Sequence, residues 1–213
     1  WGKQAVTGDC LNPPPGPFST ISCGVEFCCG LTGTSGNNVS CWGRNDYGQS
    51  TPPPGTFTSV SAHGWWHACG IKEGGSTECW GRADGYQGGP SPTEVPVGSF
   101  KVVTTGHFLS CAIDQTDHAQ CWGSDNHNQS SPPTDQVYSD VSGGTVHSCG
   151  VRISGEIDCW GSNSLNRLDS PPGTFVQMEA SQLHSCAVNS DGLIECWGID
   201  QGQGQLTPPS CTE

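Results

Sequence analysis

The triplet Cys41-Trp42-Gly43 recurs four more times along the chain. The other copies are Cys79-Trp80-Gly81, Cys121-Trp122-Gly123, Cys159-Trp160-Gly161 and Cys196-Trp197-Gly198. Trp1-Gly2 resembles a sixth copy that lacks its cysteine. Successive copies of the tryptophan lie 37 to 42 residues apart. A fixed period of this size indicates one supersecondary unit repeated along the chain. Each unit must stack on its neighbours, because it is too small to bury an apolar face alone.

The remainder of the unit repeats as well. Each unit opens with an aromatic residue and a β-branched stretch, continues with an apolar run that contains a cysteine, and ends in the triplet. Short apolar runs bounded by Gly, Asn, Asp and Pro predict strands and turns, three or four antiparallel strands per unit. The full repeats are predicted at about 18–43, 57–81, 100–123, 138–161 and 175–198, with end segments 1–17 and 199–213.

These units predict an all-β fold. Radial stacking of small antiparallel sheets gives a β-propeller, which leaves only short, protected sheet edges. We therefore predict one domain over residues 1–213, a propeller of five repeats. The two end segments copy the same part of the unit, so they either pack into a partial sixth blade or leave one strand free to pair with another molecule.

Two sequence motifs resemble a known family. Residues 184–188 read His-Ser-Cys-Ala-Val, and residues 42–49 read Trp-Gly-Arg-Asn-Asp-Tyr-Gly-Gln. Both are similar to the repeats of the regulator of chromosome condensation, and the added cysteine pair is similar to the extracellular "crinkly" repeats of plant receptor kinases. The resemblance implies a β-propeller. It implies little about function, because that scaffold hosts exchange factors, inhibitors, receptor ectodomains and lectin-like modules.

Cysteine spacing predicts disulfides within the repeats. The chain has 14 cysteines, and ten of them form pairs 10 or 12 residues apart. These are Cys29 with Cys41, Cys69 with Cys79, Cys111 with Cys121, Cys149 with Cys159, and Cys186 with Cys196. A turn midway places both cysteines of a pair opposite each other on adjacent strands, within disulfide reach. Zinc binding is the alternative, but Cys-x-x-Cys is absent.

Four cysteines remain outside these pairs. Cys10 and Cys211 lie in Pro-rich segments that correspond within the repeat, so a clasp between them would close the ring. Cys23 and Cys28 would then form a local bridge. Other pairings of the four stay open, because connectivity does not follow from sequence. Disulfides indicate an oxidising compartment, and hence a secreted, extracellular protein.

Charge and hydropathy exclude several partners. The formal net charge is −13 with only 7 Lys and Arg. Nucleic acid needs a basic surface, so it is excluded as a partner, and an anionic membrane surface is disfavoured for the same reason. No apolar run approaches the roughly 20 residues of a membrane span, which argues against membrane insertion. No signal peptide is recognisable, so a secreted protein is expected here as a mature chain or a fragment.

Catalytic and metal motifs are missing from the sequence. It contains no Gly-x-Ser-x-Gly, no phosphate-binding loop and no His-Glu-x-x-His, so we predict neither an enzyme nor a cofactor nor a metal site. His67, His147 and His184 share one repeat position, where other units have Phe27 and Leu109. These histidines form either a metal-binding or catalytic ring, or structural groups tied to a turn backbone. The second interpretation is favoured.

Aromatic residues in two turns are the candidate ligand-binding site. Trp65 and Trp66 follow His63 in the turn between the first and second strands of their unit. The matching turn of the next unit carries His107 and Phe108. Equivalent turns of a propeller lie on one face, so these aromatics could hold a glycan or an extracellular protein. The alternative is that they plug the central channel. The repeat tryptophans themselves are predicted to pack between blades.

The predicted function is therefore a secreted, non-catalytic binding module. The alternative is a structural subunit of an extracellular fibre, coat or matrix that self-assembles through its end strands. A polysaccharide-active enzyme is the weakest of the three interpretations. Asn38 and Asn128 begin Asn-x-Ser sequons, and in a secreted eukaryotic protein they would be exposed glycosylation sites. Ser/Thr-Pro-Pro runs between repeats are expected to be rigid connections.

Overall fold

The computed structural model describes residues 12–33, 38–85, 89–200, 202 and 204–207. Over these residues the chain forms strands, turns and loops, with no helix. The strands are β1 (Phe18–Cys23), β2 (Phe27–Thr32), β3 (Asn38–Gly43), β4 (Phe57–Ser61), β5 (His67–Lys72), β6 (Thr77–Gly81), β7 (Phe100–Thr105), β8 (Leu109–Asp114), β9 (Ala119–Gly123), β10 (Tyr138–Gly143), β11 (His147–Arg152), β12 (Ile157–Gly161), β13 (Phe175–Ala180), β14 (His184–Asn189) and β15 (Ile194–Gly198).

Each set of three consecutive strands forms one antiparallel sheet. We call these sheets blades 1 to 5, in chain order. The five blades confirm the predicted all-β propeller, with three strands per blade. First strands surround a central channel, lined by Ile21, Val60, Val102, Val141 and Met178, one from each blade. Middle strands are the most buried, and third strands carry the Cys-Trp-Gly triplet at their ends.

The triplet ends each blade for a steric reason. Its glycine adopts a positive φ in every blade, +106° at Gly81 for example. A Cβ at Gly81 would lie 2.5 Å from the carbonyl oxygen of Trp66, so only glycine fits. The tryptophan before it is buried, and in blades 2 to 5 its indole N–H donates to a backbone carbonyl of the preceding linker. Trp80 donates to Gln49 over 3.0 Å, and Trp160 to Gln129 over 3.0 Å.

Apolar cores lie between blades. Phe27 and Leu31 of blade 1 pack with Phe57, Ala68 and Trp80 of blade 2. Equivalent clusters join blades 2 and 3, 3 and 4, and 4 and 5. The prediction that the repeat tryptophans pack between blades is confirmed for Trp80, Trp122, Trp160 and Trp197. Each blade therefore depends on its neighbour for a core, as stacked repeats must.

Hydroxyl groups on the first strands add polar links between blades. Ser22 accepts a hydrogen bond from the backbone N–H of Ala62 over 2.8 Å. Ser142 accepts one from the N–H of Ala180 over 2.9 Å. The same position in blade 5 is Glu179, which interrupts the pattern. Among the described residues, no apolar core comparable to the other four joins blade 5 to blade 1.

The five predicted hairpin disulfides are all present, with Cα atoms 4.0 to 4.1 Å apart. Each joins residues that are directly paired on a middle and a third strand, as at Cys149 and Cys159. The sixth bridge, Cys23–Cys28, confirms the predicted local pairing in blade 1. Cys10 and Cys211 lie outside the described residues, as does Trp1, so their predicted roles stay predictions. In the described part of the chain, no helix is long and apolar enough to cross a membrane.

Candidate functional site

The candidate site is built from two neighbouring turns of the propeller. The β4–β5 turn carries Trp65 and Trp66, and the β7–β8 turn carries His107 and Phe108. Stacking joins the two turns: the rings of Trp65 and His107 lie 4.7 Å apart at 29°, and His107 stacks on Phe108 at 4.2 Å. The structure therefore brings the aromatic side chains of both turns into one stacked cluster, and their role in binding stays a prediction.

Two arginines pack against the same aromatics. The guanidinium of Arg44 lies 4.7 Å from the ring centre of Trp66, and that of Arg82 lies 5.0 Å from Tyr47. Each arginine is also paired with a carboxylate: Arg44 with Glu26, and Arg82 with Asp84. Those carboxylates raise the pKa of both guanidinium groups. The arginines thus hold Trp66 in place by cation–π contact, and their charges are already balanced.

His107 has one defined tautomer in this arrangement. The Trp66 indole N–H donates to Nε2 of His107 over 3.3 Å, so Nε2 carries no proton. Burial, together with the nearby Arg82, lowers the pKa of His107 to about 4, and the ring is neutral at physiological pH. The proton must then lie on Nδ1. That buried Nδ1 has no hydrogen-bond partner among the described residues, and neither has the hydroxyl of Thr145 close by in the same wall.

A cavity of about 540 Å³ opens beside these rings, where the inner turns of all five blades meet. We call it the channel mouth. Trp65 and His107 form one wall, with His63 on the same side; Glu179 and Gln182 of blade 5 lie opposite. The mouth adjoins the central channel, and His63 and Glu179 line both spaces. Its size and its mixture of aromatic and polar groups are typical of ligand-binding sites.

Two carboxylates face one imidazole in this channel. Oε1 of Glu179 lies 3.3 Å from Nδ1 of His63 and also accepts a hydrogen bond from Ser142 over 3.0 Å. Asp140 lies deeper and accepts the backbone N–H of Met178 over 3.0 Å. Burial raises the pKa of Asp140, and partial burial raises that of Glu179, whose side chain is 50% exposed; His63 lowers both pKa values. No Lys or Arg is found among the residues that line the mouth or the channel.

The predicted site residues divide into those that line the channel mouth and those that lie behind them. His63, Trp65 and His107 line the channel mouth. Trp66 lies behind Trp65, their ring centres 5.9 Å apart, and Phe108 is 9 % exposed beneath His107. Sequence reasoning missed the two carboxylates. Glu179 could have been found, because it replaces the serine or threonine that other units have four residues after their opening aromatic.

The repeated histidines serve the blade interfaces. His67 is fully buried, and its Nε2 lies 2.8 Å from the hydroxyl of Ser110 in the next blade. The Ser110 hydroxyl in turn donates to the carbonyl of Pro92. His147 pairs in the same way with Ser185 over 2.9 Å. These two are structural, but their partner is a serine of the next blade and not the expected turn backbone. Among the described residues, no group of three His, Cys, Asp or Glu could hold a metal ion.

The two sequon asparagines are exposed. Asn38 opens β3, and Asn128 lies in the linker between blades 3 and 4 with a φ of +61°. Both are therefore accessible, as the glycosylation prediction requires. Modification itself stays a prediction.

Comparison with known proteins agrees with these repeats. A family model described as "Regulator of chromosome condensation (RCC1) repeat" matches residues 18–49, which comprise blade 1 and the start of its linker. None of the curated proteins compared with the chain matched it.

Solved structures show the same architecture. The ectodomain of the Physcomitrella patens receptor kinase CR4 is 26% identical, with a TM-score of 0.76, over 91% of this chain and 55% of that one. The ectodomain of the Arabidopsis thaliana receptor kinase ACR4 is 25% identical, with a TM-score of 0.73, over 88% of this chain and 68% of that one. Prp20p of Saccharomyces cerevisiae is 17% identical, with a TM-score of 0.68, over 85% of this chain and 58% of that one. At this identity the likeness shows the fold alone.

The repeats thus resemble RCC1 repeats, and they are similar to the cysteine-containing repeats of the crinkly receptor-kinase ectodomains. This chain spans about half the length of the CR4 ectodomain that it matches. Likeness to extracellular receptor ectodomains suggests a binding module, and together with six disulfides it suggests an extracellular location.

Proposed function

We propose that this chain is a secreted, non-catalytic binding module whose ligand, an extracellular protein or a glycan, occupies the channel mouth. One observation carries the proposal. The Trp65 ring is only partly buried, and stacking on His107 at 4.7 Å holds it at the wall of a cavity of about 540 Å³. A large aromatic surface fixed in advance binds with little loss of conformational freedom.

Support also comes from how the site is held. Trp65 is braced by Trp66, and Trp66 is braced by Arg44 and its partner Glu26. A partly exposed tryptophan gains little free energy from burial. Fixing such a residue at the surface therefore favours a role in binding over a role in stability. Binding at such a face also agrees with the related receptor ectodomains, which are extracellular by their description.

A binding screen with matched variants tests the proposal. The wild-type protein, Trp65→Ala and Leu193→Ala would be applied to one array of glycans and one of extracellular protein domains. Leu193 is 62% exposed in the β14–β15 turn, at the other end of the blades, so it controls for loss of a surface apolar group. We expect ligands that wild type and Leu193→Ala retain to be lost by Trp65→Ala. Ligands bound equally by all three proteins would place the site elsewhere.

The structural alternative, self-assembly through end strands, depends on residues 1–11 and 208–213, which lie outside the described residues. It stays a prediction, and light scattering of the purified chain checks it. A discrete monomer over a range of concentrations contradicts assembly.

A further inference from the structure

We propose that the ligand group that enters the channel mouth is a cationic side chain, lysine or arginine, presented by an extracellular protein partner. This inference rests on the proposed function and specifies the chemistry of that same site. It depends on three features of the site: the charges of the lining, the aromatic wall and the donors left unpaired beside it.

Charge complementarity is the first feature. Glu179 lines both the mouth and the channel, Asp140 lines the channel, and the basic side chains among the lining residues are His63 and the neutral His107. Even a protonated His63 would balance only one of the two carboxylates. The Glu179 side chain is 50% exposed and its Oε1 already faces His63 and Ser142, whereas Asp140 is more buried and burial raises its pKa. A cation placed between them would therefore find two carboxylates that are only partly paired, one of them partly desolvated.

The aromatic wall is the second feature. Trp65, which stacks on His107, lines the same cavity as Glu179. A guanidinium or ammonium group can lie over an indole face while it donates to a carboxylate. The chain's own use of this geometry is visible nearby, where Arg44 lies 4.7 Å over Trp66 and is paired with Glu26. The channel mouth offers the same two partners, Trp65 and Glu179, with no arginine from this chain among its lining residues.

Unpaired donors are the third feature. Nδ1–H of His107 and the hydroxyl of Thr145 are buried in the wall and lack partners among the described residues. A backbone carbonyl of an inserted loop would accept from either group only once the wall shifts, because both atoms are closed off from solvent. An inserted protein loop would thus supply a cation for the carboxylates and a carbonyl acceptor for these donors. The net charge of −13 would also steer a basic partner towards the molecule.

A pair of isosteric probes tests the inference. N-acetyl-arginine amide and N-acetyl-citrulline amide have nearly the same shape, but only the first is charged. Each would be titrated into the full chain while the indole N–H resonance of Trp65, assigned with Trp65→Phe, is followed by NMR. We expect saturable shifts with the arginine probe and affinity about tenfold lower with citrulline. Cellobiose serves as the neutral sugar probe.

Two variants separate this site from general attraction to an acidic protein. Glu179→Gln removes one charge at the mouth, whereas Glu73→Gln removes one in the exposed β5–β6 turn, at the other end of the blades. We expect Glu179→Gln to lower affinity for the arginine probe about tenfold and to leave citrulline unchanged. Glu73→Gln should change neither. Similar losses in both variants would show surface attraction and overturn the inference.

Two other outcomes of the probe titrations would also overturn the inference. Saturable cellobiose shifts at Trp65 without arginine shifts would overturn the cationic ligand and leave the proposed binding site standing. Absence of any shift at Trp65 with the arginine probe would overturn the inference too. The proposed function fails separately, if the array ligands are retained by Trp65→Ala.

Discussion

Two kinds of tryptophan occur in this chain, and their surroundings differ. Trp160 is 6% exposed, packs in the core between blades 3 and 4 and donates its indole N–H to Gln129. Trp65 is partly exposed at the channel mouth and donates no hydrogen bond that holds a blade in place. The repeat position of Trp160 was predictable from the period alone. The role of Trp65 was suggested by its departure from the repeat.

Alanine substitution should separate these two tryptophans. We expect Trp160→Ala to lower the free energy of unfolding by about 3–5 kcal/mol, since it leaves a cavity in the core. Trp65→Ala should lower it by about 1 kcal/mol or less, since little buried surface is lost. Urea unfolding of both variants measures the difference. Equal large losses would show that Trp65 is a packing residue, and would remove it from the site.

The buried histidines predict how stability depends on pH. Burial lowers the pKa of His67 to about 3 and that of His147 to about 4, against 6.5 in the unfolded chain. Below pH 6.5 the unfolded chain therefore binds protons that the folded chain does not. The contribution of each histidine is full above pH 6.5 and is lost as pH falls towards about 4 for His147 and about 3 for His67, by about 1.4 kcal/mol per pH unit.

Replacing one histidine isolates its share of that pH dependence. Between pH 6 and 4.5, the slope of the unfolding free energy against pH should be smaller for His147→Gln than for wild type, by the amount that corresponds to about one bound proton. Thermal or urea unfolding across the window measures it, with exposed His127→Gln as the control. An unchanged slope in His147→Gln would mean that this ring is protonated in the folded state.

At the scale of the element, the blade is a three-strand sheet that cannot bury its own faces. Period, turn residues and cysteine spacing together predicted the hairpins, because a turn between equally spaced cysteines leaves few registers. The register shift after each opening aromatic, as between Phe57 and Ser59, was not predictable. In blade 2 the ring of Phe57 packs over Gly70, where a Cβ would lie 2.6 Å from it. Blades 3 and 5 show the same shift with Ala112 and Ala187 at this position, so the glycine does not cause it.

The hairpin disulfides should stabilise blades individually. Replacing both Cys149 and Cys159 with alanine opens a bridge with a sequence separation of 10. In the chain-entropy picture this lowers the free energy of unfolding by about 2–3 kcal/mol. Calorimetry of the double variant against wild type tests this. A stability equal to that of the wild type would show that strand pairing alone fixes the blade.

At the scale of the whole molecule, the proposed binding site forms where several blades meet. Trp65 comes from blade 2, His107 from blade 3, Thr145 from blade 4 and Glu179 from blade 5. Sequence reasoning found the first two, because aromatic side chains stand out in a turn. Glu179 lies in a strand and resembles an ordinary exposed carboxylate until the neighbouring first strands surround it. Its position across the channel from His63 follows from ring geometry, which local pattern does not encode.

The most direct test of the binding account is a crystal structure of the full chain with a ligand retained by wild type and lost by Trp65→Ala in the array. The account predicts ligand density in the channel mouth, stacked on Trp65 and within hydrogen-bond distance of Glu179 or His107. Density at any other face of the propeller, with an empty channel mouth, would contradict it.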